Sequence, residues 1–248
     1  MDASGQFELE KRIRIAGYGE NRGFQERSRA WTAESFREKY VYNFTWMGRP
    51  IIQHPVDMVG LQELIFRVKP DLIVETGIAH GGSIVFSASI LELIGHGEVL
   101  GIDIDIRAHN RTAIESHPMF KRITLLEGSS TDPRIIGQVT AIAAEKPKVL
   151  VILDSHHTHE HVLAELRAYA PLVPVGSYCV VYDTFVEDLP EGSSSGRPWG
   201  KGNNPKTAVH AYLAEDEGLE IDKSLENKLM ITVAPDGFLR RVSQPRLS

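Results

Sequence analysis

Residues 72–83 read LIVETGIAHGGS, and this stretch decides the fold. An apolar run from Leu72 to Val74 ends at Glu75. Glycines follow at Gly77, Gly81 and Gly82, and Ser83 opens a segment of helical apolar spacing. A strand, a glycine-rich turn and a helix start, in that order, bring backbone N–H groups close to a ligand. Glycine serves there because a Cβ would block the approach and the unusual backbone angles.

Outward from this stretch a rhythm repeats. The runs LIV, VLGI, ITLL, VLVIL and YCVVY end at Glu75, Asp103, Glu127, Asp154 and Asp183, 24–29 residues apart. A strand, a crossover helix and two loops fill that length. The runs are β-branched and uninterrupted, as strands buried on both faces should be. Segments 83–94, 107–116, 132–145 and 159–170 read as crossover helices, and Pro55 to Val68 as a helix before the first strand. Asn204 and Pro205 read as the cap and first position of a later helix. LEIDK then reads as a strand, and Pro235-Asp236-Gly237 between two apolar runs as a hairpin turn. The expected fold is α/β: a doubly wound, mostly parallel sheet closed by a C-terminal antiparallel hairpin, over residues 51–248. Residues 1–50 are charged and aromatic, with a short helix expected over Thr32–Tyr40. They read as an N-terminal arm packed on the domain, and make a homo-oligomer the expected assembly. Residues 187–206, EDLPEGSSSGRPWGKGNNPK, form a loop long enough to act as a lid.

Composition narrows the function classes. A length of 248 residues suits one α/β domain with an arm. Hydrophobic content of 42% and charged content of 24% are those of a soluble globular protein. A net charge of −6 without a basic patch argues against a nucleic-acid partner. Cys179 is the single cysteine, which excludes a disulfide within the chain and fits a reducing, cytoplasmic setting. No apolar stretch reaches the ~20 residues of an integral membrane segment, and the polar N-terminus is unlike a signal peptide.

In an open parallel sheet, ligands bind outside the carboxyl ends of the strands, where these acids fall. Asp103, or alternatively Asp105, can accept hydrogen bonds from ribose hydroxyls. A nicotinamide dehydrogenase competes, but its G-x-G-x-x-G is missing because Ala79 stands at the second glycine position. Asp154 and Asp183 end neighbouring strands and can share one divalent cation; hard oxygen ligands suit magnesium. His156, His157, His159 and His161 follow, and an imidazole there can take a proton from a hydroxyl. His159 and His161 read as surface or capping groups at a helix start. A zinc or iron site built from the histidines is the alternative. In the loop, Trp199 offers a stacking face, and Lys201, Asn203 and Asn204 offer hydrogen bonds.

The glycine turn with Asp103 resembles the first motif and ribose-binding acid of the class I S-adenosylmethionine-dependent methyltransferases. EGSSTD, 127–132, resembles the stretch beside the adenine in catechol-type enzymes of that class. DSHHTHEHVLAELRAYAPLV, SYCVVYDTFVEDLP and the W-x-K-G-N-N-P of the loop resemble the cephalosporin hydroxylase / rhamnosyl O-methyltransferase family, over roughly residues 40–241. The resemblance implies a seven-stranded sheet of the class I type and methyl transfer from S-adenosyl-L-methionine. The implied acceptor is a sugar hydroxyl of a glycolipid, polysaccharide or glycosylated natural product, with Mg2+ or a similar ion assisting. Glu75, Gly77, Gly81, Ser83, Asp103, Ser129, Ser130 and Asp154 would hold the cofactor. Asp154, Asp183 and Thr184 would hold the metal, and His157 would be the base beside Asp154. Trp199, Lys201 and Asn203 would meet the acceptor. Sugar O-methyltransferases of this kind carry adjacent Glu and Asp after strand five; here the pair is Tyr182 and Asp183, with the Thr184 hydroxyl or water filling in. A metal-dependent hydroxylase, a catechol-type or other small-molecule O-methyltransferase, and a non-catalytic binding protein remain as alternatives.

Overall fold

The computed structural model describes residues 2–244. Residues 245–248 of the expected domain lie outside the described residues. The sheet begins with β3 (Leu72–Thr76), preceded by α3 (Pro55–Val68), two short strands β1 (Phe44–Trp46) and β2 (Arg49–Ile51), and helices α1 (Ala3–Glu20) and α2 (Arg22–Arg37). After β3 come α4 (Gly82–Ile94), β4 (Glu98–Asp103), α5 (Ala108–Glu115), β5 (Ile123–Glu127), α6 (Pro133–Ala143), β6 (Val149–Leu153), α7 (His159–Tyr169) and β7 (Tyr178–Val181). The chain ends with α8 (Pro205–Glu215), β8 (Leu219–Ile221), α9 (Lys223–Leu229) and β9 (Phe238–Arg241).

Seven strands form one sheet in the order β5-β4-β3-β6-β7-β9-β8. The first five are parallel, while β9 runs antiparallel to both β7 and β8. The strand order reverses between β3 and β4 on one side and β6 on the other, so the crevice at their carboxyl ends is a switch point. Alternate residues feed two cores. Ile73, Leu150 and Val180 pack with Leu61 and Leu64 of α3 and Ile84 of α4. Val74, Val151 and Cys179 pack on the other face with Val139 of α6, Leu166 of α7 and Val209 of α8. Among the described residues no helix is long and apolar enough to cross a membrane.

The C-terminal antiparallel pair is present, but its connection is not the expected turn. Lys223–Leu229 is α9, capped by the Asp222 carboxylate accepting from Leu225 N at 3.1 Å. Pro235-Asp236-Gly237 leads into β9 rather than joining two strands. On β9, Arg241 is 1% exposed and donates to Asp216 Oδ2 at 2.7 Å and to the Ala170 carbonyl at 2.9 Å.

The arm also departs from expectation. In place of one short helix over Thr32–Tyr40 it holds two longer ones, capped by Asp2 and Asn21. The β1–β2 pair then fastens to α4: Trp46 Nε1 donates to Ser89 Oγ at 3.0 Å, and its ring meets Phe86 edge-on at 4.8 Å. A Cβ on Gly82 would come within 2.1 Å of the Pro50 carbonyl, so glycine alone lets β2 rest on the start of α4.

Candidate active site

The carboxyl ends of β3 to β7 open on a cavity of about 610 Å3. One wall is the glycine turn. Gly77 has φ +81°, and a Cβ there would stand 2.2 Å from the Asp154 carbonyl, so glycine is needed to bring the ends of β3 and β6 together. Asp103 lies under the turn: its Oδ2 accepts from Ile78 N at 3.0 Å and Ala79 N at 3.2 Å. Gly81 caps α4 with φ +82° but is not on the wall, whereas Ser83 is. Glu75 sits behind the wall, 1% exposed, accepting from the Ser83 hydroxyl while its Oε2 has no partner. Burial pushes its carboxyl up to about 7, against the opposing pull of that hydroxyl.

The opposite wall comes from the ends of β5 and α7. Ser129 and Ser130 both line the cavity. The Ser130 hydroxyl lies 3.1 Å from His161 Nε2, which is also 3.1 Å from Ser155 Oγ and 3.4 Å from the fully buried Glu165. His161 is therefore part of the wall and not a surface group. Its i, i+4 spacing to Glu165 on α7 was a readable signal. His159, the first residue of α7, ties that helix to α8 and does not cap it: its Nδ1 lies 2.8 Å from Thr207 Oγ1.

Asp154, His157 and Asp183 meet between these walls, with one ligand atom from each lying within 4.8 Å of the others. His157 Nε2 stands 3.2 Å from Asp183 Oδ2. Asp183 adopts φ +57°, a left-handed conformation that turns the chain straight after β7. Burial holds the Asp154 carboxyl well above the usual carboxylate range, reinforced by the charges of Asp183, Glu75, Glu165 and Asp57. A site so rich in carboxylates and poor in counter-charge fits a divalent cation with oxygen ligands.

One expected ligand does not join this cluster, and the residue standing in for the family's glutamate has other surroundings. Thr184 is fully buried, absent from the cavity wall, and donates its hydroxyl to the Pro235 carbonyl at 2.6 Å. Tyr182, where a glutamate was expected, is 1% exposed and lines the cavity with its hydroxyl unpartnered. Burial, then Asp57, Asp154 and Glu75, push that phenol up.

The long loop is pinned rather than loose. Glu187 accepts from Gly202 N at 2.7 Å and from the Asn204 amide. Trp199 lines the cavity, its ring edge-on to His157 at 4.9 Å. Lys201 and Asn203 are not on the wall. Asn203 instead accepts from His159 N at 2.9 Å and donates to the Pro198 carbonyl at 3.0 Å, tying the loop to α7.

No local motif announced Phe36, Val41 and Tyr42 of the arm, or Gln53 and His54 just before α3, as wall residues. His54 is 2% exposed, between the Trp31 and Tyr40 rings, with Nε2 3.3 Å from Ser35 Oγ. Burial pulls its pKa down.

A doubly wound sheet of this order, with a glycine turn and a strand-end acid at the switch point, defines a class I methyltransferase fold. The sequence profile of the Rhamnosyl O-methyltransferase/CmcI family matches residues 38–242, and the chain belongs to that family. The rhamnosyl O-methyltransferase of Mycobacterium bovis (strain BCG / Pasteur 1173P2) is 36% identical over 220 residues, covering 84% of each chain. That of Mycobacterium leprae (strain TN) is 34% identical over 217 residues, covering 84% of this chain and 90% of its own. A solved structure described as CmcI-D160 with Mg and SAM superposes with a TM-score of 0.55 at 19% identity, over 82% of this chain and 78% of that one. The protein is thus an S-adenosylmethionine-dependent O-methyltransferase.

Proposed function

We propose that this enzyme methylates a sugar hydroxyl, with a divalent cation held by Asp154 and Asp183 and with His157 as the base. The observation that carries the reading is the Asp154–His157–Asp183 cluster, opening on the same cavity as the glycine turn and Asp103. The names of the mycobacterial relatives support a sugar acceptor.

Asp103 would accept from the cofactor's ribose, Ser129 and Ser130 would border the adenine, and the turn from Gly77 to Ser83 would keep backbone close to the chain between them. The divalent ion, when bound, lowers the pKa of the acceptor hydroxyl. His157 takes the hydroxyl proton at Nε2. Asp183 Oδ2 stands 3.2 Å from that nitrogen, within reach of the proton it takes. The acceptor oxygen bonds to the methyl carbon as the methyl–sulfur bond breaks, and its electron pair stays on sulfur. Trp199 packs against His157, limiting water at the reacting atoms.

Transfer of labelled methyl groups from S-adenosylmethionine to a panel of rhamnosides, other glycosides and catechols, with magnesium or with EDTA, tests the reading. Magnesium-dependent methylation of glycosides is expected. Turnover of catechols but not glycosides would remove the sugar assignment, and full activity in EDTA would remove the metal.

A further inference from the structure

Helix α7 carries an acid that the mechanism does not use. Glu165 is fully buried, with Oε1 accepting from the Ser155 hydroxyl at 2.7 Å and Oε2 without a hydrogen-bond partner. A carboxyl withdrawn from water for so few hydrogen bonds costs stability that an apolar side chain of similar size would not. Its use to the chain lies in what it holds.

What it holds is the segment after β6. Ser155 stands between Asp154 and the paired histidines 156 and 157, and it lines the cavity. His161, one turn before Glu165 on the same face of α7, places Nε2 3.1 Å from Ser155 Oγ and 3.1 Å from Ser130 Oγ. Tyr169, one turn after Glu165, donates its hydroxyl to the Ser130 carbonyl. Residues at i, i+4 and i+8 on one helix thus grip the segments that follow β5 and β6.

The acid also gives this chain of bonds a direction. A hydroxyl has one proton, and that of Ser155 goes to Glu165. The Ser155 oxygen is left to accept from His161, so the network puts the imidazole proton on Nε2, where Ser130 Oγ meets it as well. The other tautomer would set two lone pairs against each other at 3.1 Å.

We propose that Glu165 is a positioning residue for the reaction: through Ser155 and His161 it fixes the segment that carries Asp154 and His157, and ties it to the wall at Ser130. This rests on the reading above, in which Asp154 holds the divalent ion. Without the acid, the Ser155 proton turns to His161 Nε2, the imidazole proton moves to Nδ1, and Ser155 loses its anchor in α7.

Mn2+ titration of the full chain, followed by electron paramagnetic resonance, tests this. Glu165→Leu and Ser155→Ala should each weaken Mn2+ about tenfold, as loss of a group that orients a metal ligand does. The double variant should lose no more than either alone, because both changes cut the same bond. Glu165→Gln keeps an oxygen for the Ser155 hydroxyl and should stay within about twofold of wild type. The Tm of Glu165→Leu should equal or exceed that of wild type, since an apolar side chain replaces a buried acid. Nitrogen-15 spectra of the metal-free protein at about pH 8, where an ordinary imidazole is neutral, should show His161 protonated at Nε2 in wild type and at Nδ1 in Glu165→Leu. Unchanged Mn2+ affinity in Glu165→Leu and Ser155→Ala would overturn the proposal. Losses that add in the double variant, or a lower Tm in Glu165→Leu, would assign the acid a structural role and overturn it too. Failure of the wild type to bind Mn2+ would overturn the metal reading instead. The spectra then decide the clamp, which stands if wild-type His161 is protonated at Nε2 and falls if it is protonated at Nδ1.

Discussion

Glu75→Gln isolates the effect of one buried acid on stability. In the folded chain the Glu75 carboxyl is 1% exposed and pushed up to about 7, from an ordinary value of 4.5. The unfolded chain gives up its proton near 4.5, while the folded chain keeps it until about 7. Between those values the native state binds more protons than the unfolded state, so stability falls as pH rises. A difference of about 2.5 between the two pKa values, at 1.36 kcal/mol each, gives ~3 kcal/mol lost across the window. The glutamine is nearly isosteric, retains an oxygen to accept from the Ser83 hydroxyl, and has no proton to lose. Urea unfolding of ligand-free protein at pH 5, 6, 7 and 8 reads the effect. Wild type should lose about 2.5 kcal/mol more than Glu75→Gln over that range, since the unfolded carboxyl is already mostly ionised at pH 5, so the variant is relatively more stable at pH 8. Parallel stability–pH curves for the two proteins would refute the argument, since they would show Glu75 already ionised when folded.

Four further outcomes are expected. His157→Ala should lower kcat by about 10²–10⁴ in single-turnover assays, with calorimetric affinity for S-adenosylmethionine nearly unchanged. Asp103→Ala should do the reverse, weakening the cofactor at least about tenfold, because a charged acceptor is lost and the Ile78 and Ala79 amides lose theirs. Gly77→Ala should cost about 2–5 kcal/mol by chemical denaturation, combining strain at φ +81° with the clash against the Asp154 carbonyl. Arg241→Met should change stability far less than Asp216→Ala, which strands a buried guanidinium and should cost about 3–5 kcal/mol.

Legibility from the sequence followed the range of the signal. The five parallel strands were readable because each is a short apolar run ending in an acid, and the spacing admits one crossover each. Asp154 and Asp183 were readable for the same reason, since strand ends at a switch point converge, whereas His157 was singled out among four histidines by the family resemblance. The hairpin at Pro235-Asp236-Gly237 was misread because the run KLMITV before it has the apolar residues of a strand, yet it holds the end of α9 and the next strand is β9. Asp222, taken as the tail of a strand, is in fact the cap of α9. Phe36 of the arm, and Gln53 and His54 just before α3, reach the cavity only through tertiary packing, which no local periodicity records. Asn203 looked like a ligand group because an exposed amide and a pinned one are identical as letters; its bond to His159 N decides which it is.

The rest of β2 on Gly82 has a consequence for assembly. The cavity is closed by residues from 36–54, 77–83, 102–104, 129–130, 154–161, 182–185 and 199, so its walls come from nearly the whole length of the chain. Contacts between segments so far apart in sequence pay their loop entropy before they gain anything, and they form late. The pocket therefore exists only where all of these segments are folded together. A ligand that binds only the closed form adds RT ln(1 + [L]/Kd) to the closed state, about 2.7 kcal/mol at a hundredfold excess over Kd. Because the arm is one of the walls, that increment reaches the first helices of the chain as well as the sheet, and the methyl donor acts as the final piece of the fold.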